Sequence, residues 1–277
     1  MTGHPAREAR PFVAISTKAY FGAAHTRAWI RGVVTMAEMA SRRGIEVVVF
    51  PSFPLLESAA HLLEGSGICL GAQSVAATDD GAHTGEVTAS LLAEIGCRYV
   101  EVGHSERRRD HGETPVVVRE KVAQALRHGL IPLLCVGEDE PGPREAAADR
   151  VVESVAETMS GLDSAPVVVA YEPVWAIGAA HGAPAGHVAH VADALRATLN
   201  GRAGPWRIVY GGAAGPGTAT ALGGCVDGLF LGRFAHDLHS LDAIVREIGR
   251  CWTHHPRCSP PRQARRSGRT AGPPQGK

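Results

Sequence analysis

The 277-residue chain has no run approaching the roughly 18 consecutive apolar residues of a membrane-spanning helix, and residues 1–12 offer no apolar stretch to a signal peptidase. A cytoplasmic protein without membrane contact is expected. No C-x-x-C pair occurs among Cys69, Cys97, Cys135, Cys225, Cys251 and Cys258. A chain of this length does not need disulfide staples, so these thiols are expected to be reduced. The 14 histidines lack an accompanying carboxylate or thiol pattern, so no metal is expected. His187 and His190 have helical i, i+3 spacing but read better as solvated helix positions than as ligands. Lysine is scarce: Lys18, Lys121 and Lys277 stand among 28 basic residues, so a lysine within a polar cluster is informative.

Acidic residues are missing from residues 256–277, which carry Arg257, Arg262, Arg265, Arg266, Arg269 and Lys277. The remaining body therefore has 22 basic against 28 acidic residues. It has no general electrostatic reason to bind nucleic acid. The same tail holds five prolines and three glycines and cannot bury enough surface to offset the entropy of ordering. The expected organisation is one domain over residues 1–252 and a disordered Pro/Arg-rich tail over 253–277, either inert or a weak polyanion-binding arm.

What is present is an alternation. Apolar or β-branched runs recur at residues 12–17, 45–50, 67–72, 98–103, 131–136, 166–171, 206–211 and 227–232. Between them lie stretches such as 116–129 and 144–161, whose apolar positions repeat every three to four residues. Near-continuous apolar strands are buried on both faces, as parallel strands covered by helices require. Eight such units predict a single (β/α)8 TIM barrel. The competing open doubly wound sheet calls for a G-x-G-x-x-G loop after its first strand, and the chain continues there with Lys18 to Gly22 instead. No internal repeat beyond the alternation is visible.

In a barrel of this kind the chemistry sits at the carboxyl ends of the strands. The first predicted strand ends in Ser16, Thr17 and Lys18, the fourth in Gly103, His104, Ser105 and Glu106, the sixth in Tyr171 and Glu172. The last two end in glycines, Gly211 with Gly212 and then Gly232. An ammonium, an imidazole and a carboxylate are thus expected to share one mouth with loops whose backbone N–H groups suit a phosphate.

The segments YVEVGHSERR (99–108), AYEPVWAIG (170–178), GAQ with GAHTGE (71–73, 81–86) and YGG with VDGLFLG (210–212, 226–232) resemble, in order, the signature segments of triosephosphate isomerase. The resemblance covers roughly residues 11–250. It implies isomerisation of a small phosphorylated sugar by proton transfer between adjacent carbons through an enediolate, with no cofactor. Glu172 resembles the carboxylate base and His104 the electrophile that polarises the carbonyl. Ser105 is expected to cap the next helix, so that the dipole disfavours an imidazolium at His104. Lys18 resembles the fixed positive charge beside the substrate, and Glu106 is expected to pair with it or cap the helix. Residues 173–183 resemble the mobile lid, whose Gly178 would donate its N–H to the phosphate. The 81–86 loop, with His83 and Thr84 at its tip, resembles the loop that inserts into a neighbouring subunit, which implies a homodimer.

Four positions depart from the family. Its Asn-Trp-Lys reads Ser16, Thr17, Lys18, so a hydroxyl replaces a longer amide. The serine after the seventh-strand glycines is Ala213, which keeps its backbone N–H. The second glycine after strand eight is Arg233, which either obstructs the phosphate or adds a charge-assisted bond to it. The lid continues as Ala179, Ala180, His181, Gly182, Ala183. These changes resemble a branch acting on tetrulose phosphates. The primary expectation is interconversion of dihydroxyacetone phosphate and D-glyceraldehyde 3-phosphate, the glycolytic and gluconeogenic reaction. The alternative is conversion of L-erythrulose 1-phosphate to D-erythrulose 4-phosphate, and the remote one a non-catalytic phosphometabolite-binding protein.

Overall fold

A computed structural model describes residues 10–253. Eight parallel strands close into one barrel in sequential order: β1 (Phe12–Ser16), β2 (Glu46–Phe50), β3 (Cys69–Ala72), β4 (Cys97–Val102), β5 (Ile131–Val136), β6 (Val167–Tyr171), β7 (Trp206–Tyr210) and β8 (Gly228–Leu231). Closure is made by β1 against β8, from Phe12 opposite Gly228 to Ile15 opposite Leu231. Each strand lies within two residues of an apolar run read from the sequence. The helices are α1 (Ala23–Val34), α2 (Ala37–Arg42), α3 (Leu56–Leu63), α4 (Ala89–Ile95), α5 (Ser105–His111), α6 (Pro115–Arg127), α7 (Arg144–Thr158), α8 (Ala185–Leu199), α9 (Thr218–Leu222) and α10 (Leu238–Thr253). The tail expected beyond Thr253 lies outside the described residues.

Alternation along the strands divides the core into two compartments. Val13, Ile15, Val47, Val49, Val100, Val102, Val167 and Val169 point outward and meet the helices, among them Trp29, Ile30 and Val33 of α1 and Val118, Val122 and Ala125 of α6. Phe12, Ala14, Val48, Phe50, Tyr99, Leu133, Cys135, Val168, Ala170, Val209 and Phe230 fill the barrel interior. Both strand faces are therefore dry, which is why the strands read as continuous apolar runs. The start of α6 is written locally: Pro115 occupies the first turn and the Thr114 hydroxyl accepts the Val117 N–H at 3.4 Å.

The floor of the barrel is polar and paired. Arg207, on β7, donates from Nη2 to Glu46 Oε2 at 2.7 Å, the Tyr99 hydroxyl donates to Glu46 Oε1 at 2.7 Å, and the guanidinium lies 4.9 Å from the centre of the Phe12 ring. Burial pushes the Glu46 carboxyl up, but the Tyr99 hydroxyl and the Arg207 guanidinium prevail and hold it below its ordinary value. Among the described residues the cysteines form no disulfide, and burial pushes the Cys97 thiol up to about 12.

Removing Arg207 takes the 2.7 Å cation from the buried Glu46 carboxylate and leaves it the half-exposed Arg98 at 3.6 Å. Arg207→Leu is expected to lose about 3 to 5 kcal/mol of stability in denaturant unfolding, and Glu46→Leu combined with Arg207→Leu to recover most of it. Because the folded-state value of Glu46 is depressed, its contribution is present above the unfolded carboxylate range and disappears as pH falls through the folded value. The double variant should therefore lose less stability on acidification than the wild-type protein. An equal loss in both would remove Glu46 as the acid-sensitive group.

Candidate active site

Ser16, Lys18, His104, Glu106, Glu172, Gly178, Ala213, Gly232 and Arg233 all line one cavity of about 320 Å³ at the carboxyl ends of the strands. The site residues expected from the sequence are thus brought together by the closed barrel. His83 and Thr84 stand apart from it, in residues 78–86, all of them exposed.

Lys18 follows β1 with φ +45°, the single non-glycine residue with positive φ among those described. Such a conformation costs on the order of 1–3 kcal/mol and persists where neighbours over-determine it. Here the neighbours are explicit: Ser52 Oγ and Gln73 Nε2 donate to the Lys18 carbonyl at 3.0 and 3.1 Å. Gln73 Nε2 also reaches the Phe50 carbonyl at 2.8 Å. The strained turn aims the ammonium across the mouth, where Nζ meets Glu106 Oε1 at 2.7 Å. Glu106 therefore pairs with Lys18, one of its two expected roles.

β4 ends at Val102, Gly103 turns the chain at φ +71°, and His104 itself is the N-cap of α5. This corrects the expectation that Ser105 would be the cap. The His104 Nδ1 accepts the Glu106 backbone N–H at 3.2 Å, so that nitrogen carries no proton and the single ring proton sits on Nε2. With Nδ1 engaged by the cap bond, Nε2 is the ring nitrogen left on the side of Glu172.

Glu172 lies just past β6, is 5% exposed, and its backbone N–H donates to the Val136 carbonyl at 2.8 Å. Its carboxylate fits because Gly211 faces it: a Cβ there would stand 2.7 Å from Glu172 Oε1. Oε2 has no hydrogen-bond partner among the described residues and lies 3.8 Å from His104 Nε2. That separation is too long for a hydrogen bond, so donor and acceptor are satisfied by neither each other nor the protein. An acceptor able to take a proton from carbon and a donor able to stabilise the adjacent oxygen face the same space.

Residues 173–183, expected to form a lid, are anchored at both ends by residues without a local signal in the sequence. At its start, Glu138 after β5 accepts from the Trp175 indole at 2.9 Å and from the Tyr171 hydroxyl at 3.1 Å, and bonds His187 Nε2 at 3.1 Å. His187 is thus tied to a buried carboxylate rather than solvated, and the expectation for it is corrected. At the other end the Ala183 N–H donates to the Tyr210 hydroxyl at 2.9 Å. Arg233 Nη2 donates to the Gly178 carbonyl at 3.1 Å, joining the lid to the end of β8. Among the described residues no group of three or more His, Cys, Asp or Glu side chains forms a metal-binding cluster, and no helix is long and apolar enough to cross a membrane.

The family model for triosephosphate isomerase matches residues 11–248. The chain is 43% identical over 242 residues to the L-erythrulose-1-phosphate isomerase of Pectobacterium atrosepticum, covering 84% of this chain and 93% of that protein. It is 45% identical over 187 residues to the triosephosphate isomerase of an Azoarcus species, covering 65% and 77% of the two chains. Against the triosephosphate isomerase of Thermus thermophilus the identity is 39% over 215 residues, covering 74% and 86%. With the barrel closed, its mouth carrying Lys18, His104 and Glu172, and the match spanning nearly the whole described chain, the protein belongs to the triosephosphate isomerase family.

Proposed function

We propose that this pocket isomerises small phosphorylated hydroxyketones and favours a four-carbon substrate, converting L-erythrulose 1-phosphate to D-erythrulose 4-phosphate. The activity class, a sugar-phosphate isomerase, comes with the family. The observation that carries the proton-transfer reading is that Glu172, whose Oε2 has no hydrogen-bond partner among the described residues, and His104, with Nε2 3.8 Å from that oxygen, line one cavity with Lys18. Glu172 removes the proton from the hydroxyl-bearing carbon next to the ketone. The electrons move into the carbon–carbon bond and onto the carbonyl oxygen, giving an enediolate whose charge His104 Nε2–H and Lys18 stabilise. The proton returns from Glu172 to the former carbonyl carbon while the neighbouring hydroxyl proton passes to the former carbonyl oxygen by way of His104 Nε2, and the ketone now lies one carbon further along.

The preference for four carbons rests on the inner end of the cavity. Ser16 is shorter than the family's amide and leaves room for one more hydroxymethyl group. Gly178, Ala213, Gly232 and Arg233 line the cavity together and offer backbone N–H groups and a guanidinium to a phosphate. The Pectobacterium relative, matched over 93% of its length, carries a four-carbon substrate in its name. The triose reaction remains the second reading, favoured by the complete set of Lys18, His104 and Glu172 and by the names of the other two relatives. The lid, residues 173–183, would exclude water from the enediolate.

A cytoplasmic homodimer is part of the proposal. The exposed 78–86 loop has a fixed base: Ala76 N–H donates to the Val87 carbonyl at 2.8 Å, and Arg127 pairs with Asp79 at 2.7 Å. A projecting loop on a rigid base suits insertion of His83 and Thr84 into a second subunit. The division into a barrel domain and a C-terminal tail belongs to the same reading.

The kcat/KM of the purified protein on L-erythrulose 1-phosphate and on dihydroxyacetone phosphate, measured side by side, tests the substrate. A preference for the four-carbon compound is expected; a strong triose preference would return the protein to the triose reading. In either assay Glu172→Asp, which withdraws the carboxylate by one methylene, should cost about 100-fold. Arg233→Gly should raise KM for the phosphorylated substrate by about tenfold and weaken inhibition by inorganic phosphate. An unchanged or lowered KM would mean that Arg233 obstructs the phosphate instead of holding it.

A further inference from the structure

One buried titratable group near the site has no part in the reaction as described. Glu101 lies on β4 two residues beyond Tyr99, and its register partner is Leu133 of β5; both Tyr99 and Leu133 belong to the barrel interior. Alternation therefore directs Glu101 inward, beneath the catalytic mouth. It is 4% exposed, and its Oε1 has no hydrogen-bond partner among the described residues. The contrast with Glu46 at the opposite end of the same interior is direct. Glu46 has Arg207 and Tyr99 at 2.7 Å, whereas Glu101 has no cation at bonding distance among the described residues.

The groups around Glu101 are the Ser16 hydroxyl, the carboxylates of Glu172 and Glu106, and the ammonium of Lys18, which is already paired with Glu106. An unpaired carboxylate in that setting bears the cost of desolvation and of repulsion from Glu172. Burial pushes the Glu101 carboxyl well above its ordinary range, Glu172 and Glu106 push the same way, and Ser16 and Lys18 oppose them. Burial without a partner for Oε1, beside a second carboxylate, thus favours the protonated form of this side chain, which has an O–H to donate.

A serine hydroxyl has one proton and two lone pairs. The Lys18 backbone N–H already donates to Ser16 Oγ at 3.4 Å. We propose that Glu101 is a positioning residue that donates its acid proton to Ser16 Oγ and so turns the Ser16 O–H into the cavity as a donor to a substrate oxygen. With the acid ionised, the serine proton would instead be drawn down to the carboxylate and the pocket would meet lone pairs. The pair of Glu101 and Ser16 thus supplies, from β4 and β1 together, a polar contact of the kind that a single amide provides elsewhere in the family. It rests on the reading of this cavity as a hydroxyketone-phosphate isomerase site, and not on the length of the carbon chain.

The test is a double-mutant cycle, run on whichever phosphorylated hydroxyketone the wild-type protein turns over better, with a spectroscopic readout beside it. Ser16→Ala and Glu101→Leu should each lower kcat/KM by about 10- to 100-fold, and the double variant should be no worse than the poorer single one. Glu101→Gln, whose amide can still donate, should stay within about fivefold of wild type. Infrared difference spectra of wild type against Glu101→Gln should contain the carbonyl stretch of a protonated carboxylic acid at neutral pH. A Glu101→Leu variant as active as wild type, losses that multiply in the double variant, a Gln variant as damaged as the Leu variant, or absence of the acid band would each overturn the proposal. If Glu101→Leu does not fold, the activity of Glu101→Gln and the infrared band decide. A wild-type protein without turnover would overturn the reading of the site instead, and the band would then judge the acid alone.

Discussion

Closure of the sheet between β1 and β8 is the constraint on which everything else in this molecule depends. It brings Ser16 and Lys18, near one end of the chain, beside Gly232 and Arg233, more than two hundred residues later. Because all eight strands are parallel, closure also delivers the ends of β4 and β6 to the same mouth, with His104 and Glu172 facing each other across it. No local interaction could assemble these groups. The energy that holds the ring is diffuse: strands dry on both faces, each large apolar side chain contributing about 1.5 to 3 kcal/mol by leaving water. The chemistry is therefore carried by the closed scaffold, while the segment over the mouth is tied at its ends through Glu138 and Tyr210 and at Gly178 through Arg233.

The barrel interior treats charge differently at its two ends. At the floor, Glu46 is matched by Arg207 and Tyr99, and the burial cost of each charge is offset by a partner at hydrogen-bond distance. At the mouth, polar groups are left unmatched: Glu172 Oε2, Glu101 Oε1 and the backbone of Lys18 at positive φ. At the mouth the unmatched oxygens and the strained turn lie where a ligand can complete them. The same contrast holds within the His104 ring. Its N-cap bond occupies Nδ1 and leaves Nε2–H for the cavity.

The architecture was legible because strands buried on both faces write themselves as continuous apolar runs, and eight of them at regular intervals leave few alternatives. The sites at the strand ends were legible through motif spacing, since His104 and Glu172 sit in segments long enough to be distinctive. What escaped was set by tertiary contact. Glu101 stands inside one of those segments and reads as one more strand residue until the inward face of β4 is known. Glu138 and Tyr210 carry no local signal for holding the two ends of a lid. Gln73 lies in a recognised tripeptide, but its grip on the Lys18 carbonyl depends on β3 lying one strand from β1 across β2. Scarcity of lysine singled out Lys18, which lines the cavity, yet Lys121 is equally rare and serves the scaffold, pairing in the interior with Glu113 at 2.6 Å. His187 failed for the opposite reason: helical spacing suggested a solvated face, while the partner that buries it arrives from the loop after β5.

The account stands on proton transfer by one carboxylate, and isomerisation in deuterium oxide followed by proton NMR of the product tests that most directly. A proton held on Glu172 between the two half-reactions exchanges with solvent, so the product should carry deuterium on the carbon that was the ketone. Quantitative carry-over of the substrate's own hydrogen, with no deuterium on carbon, would contradict it and point to a hydride shift between the two carbons.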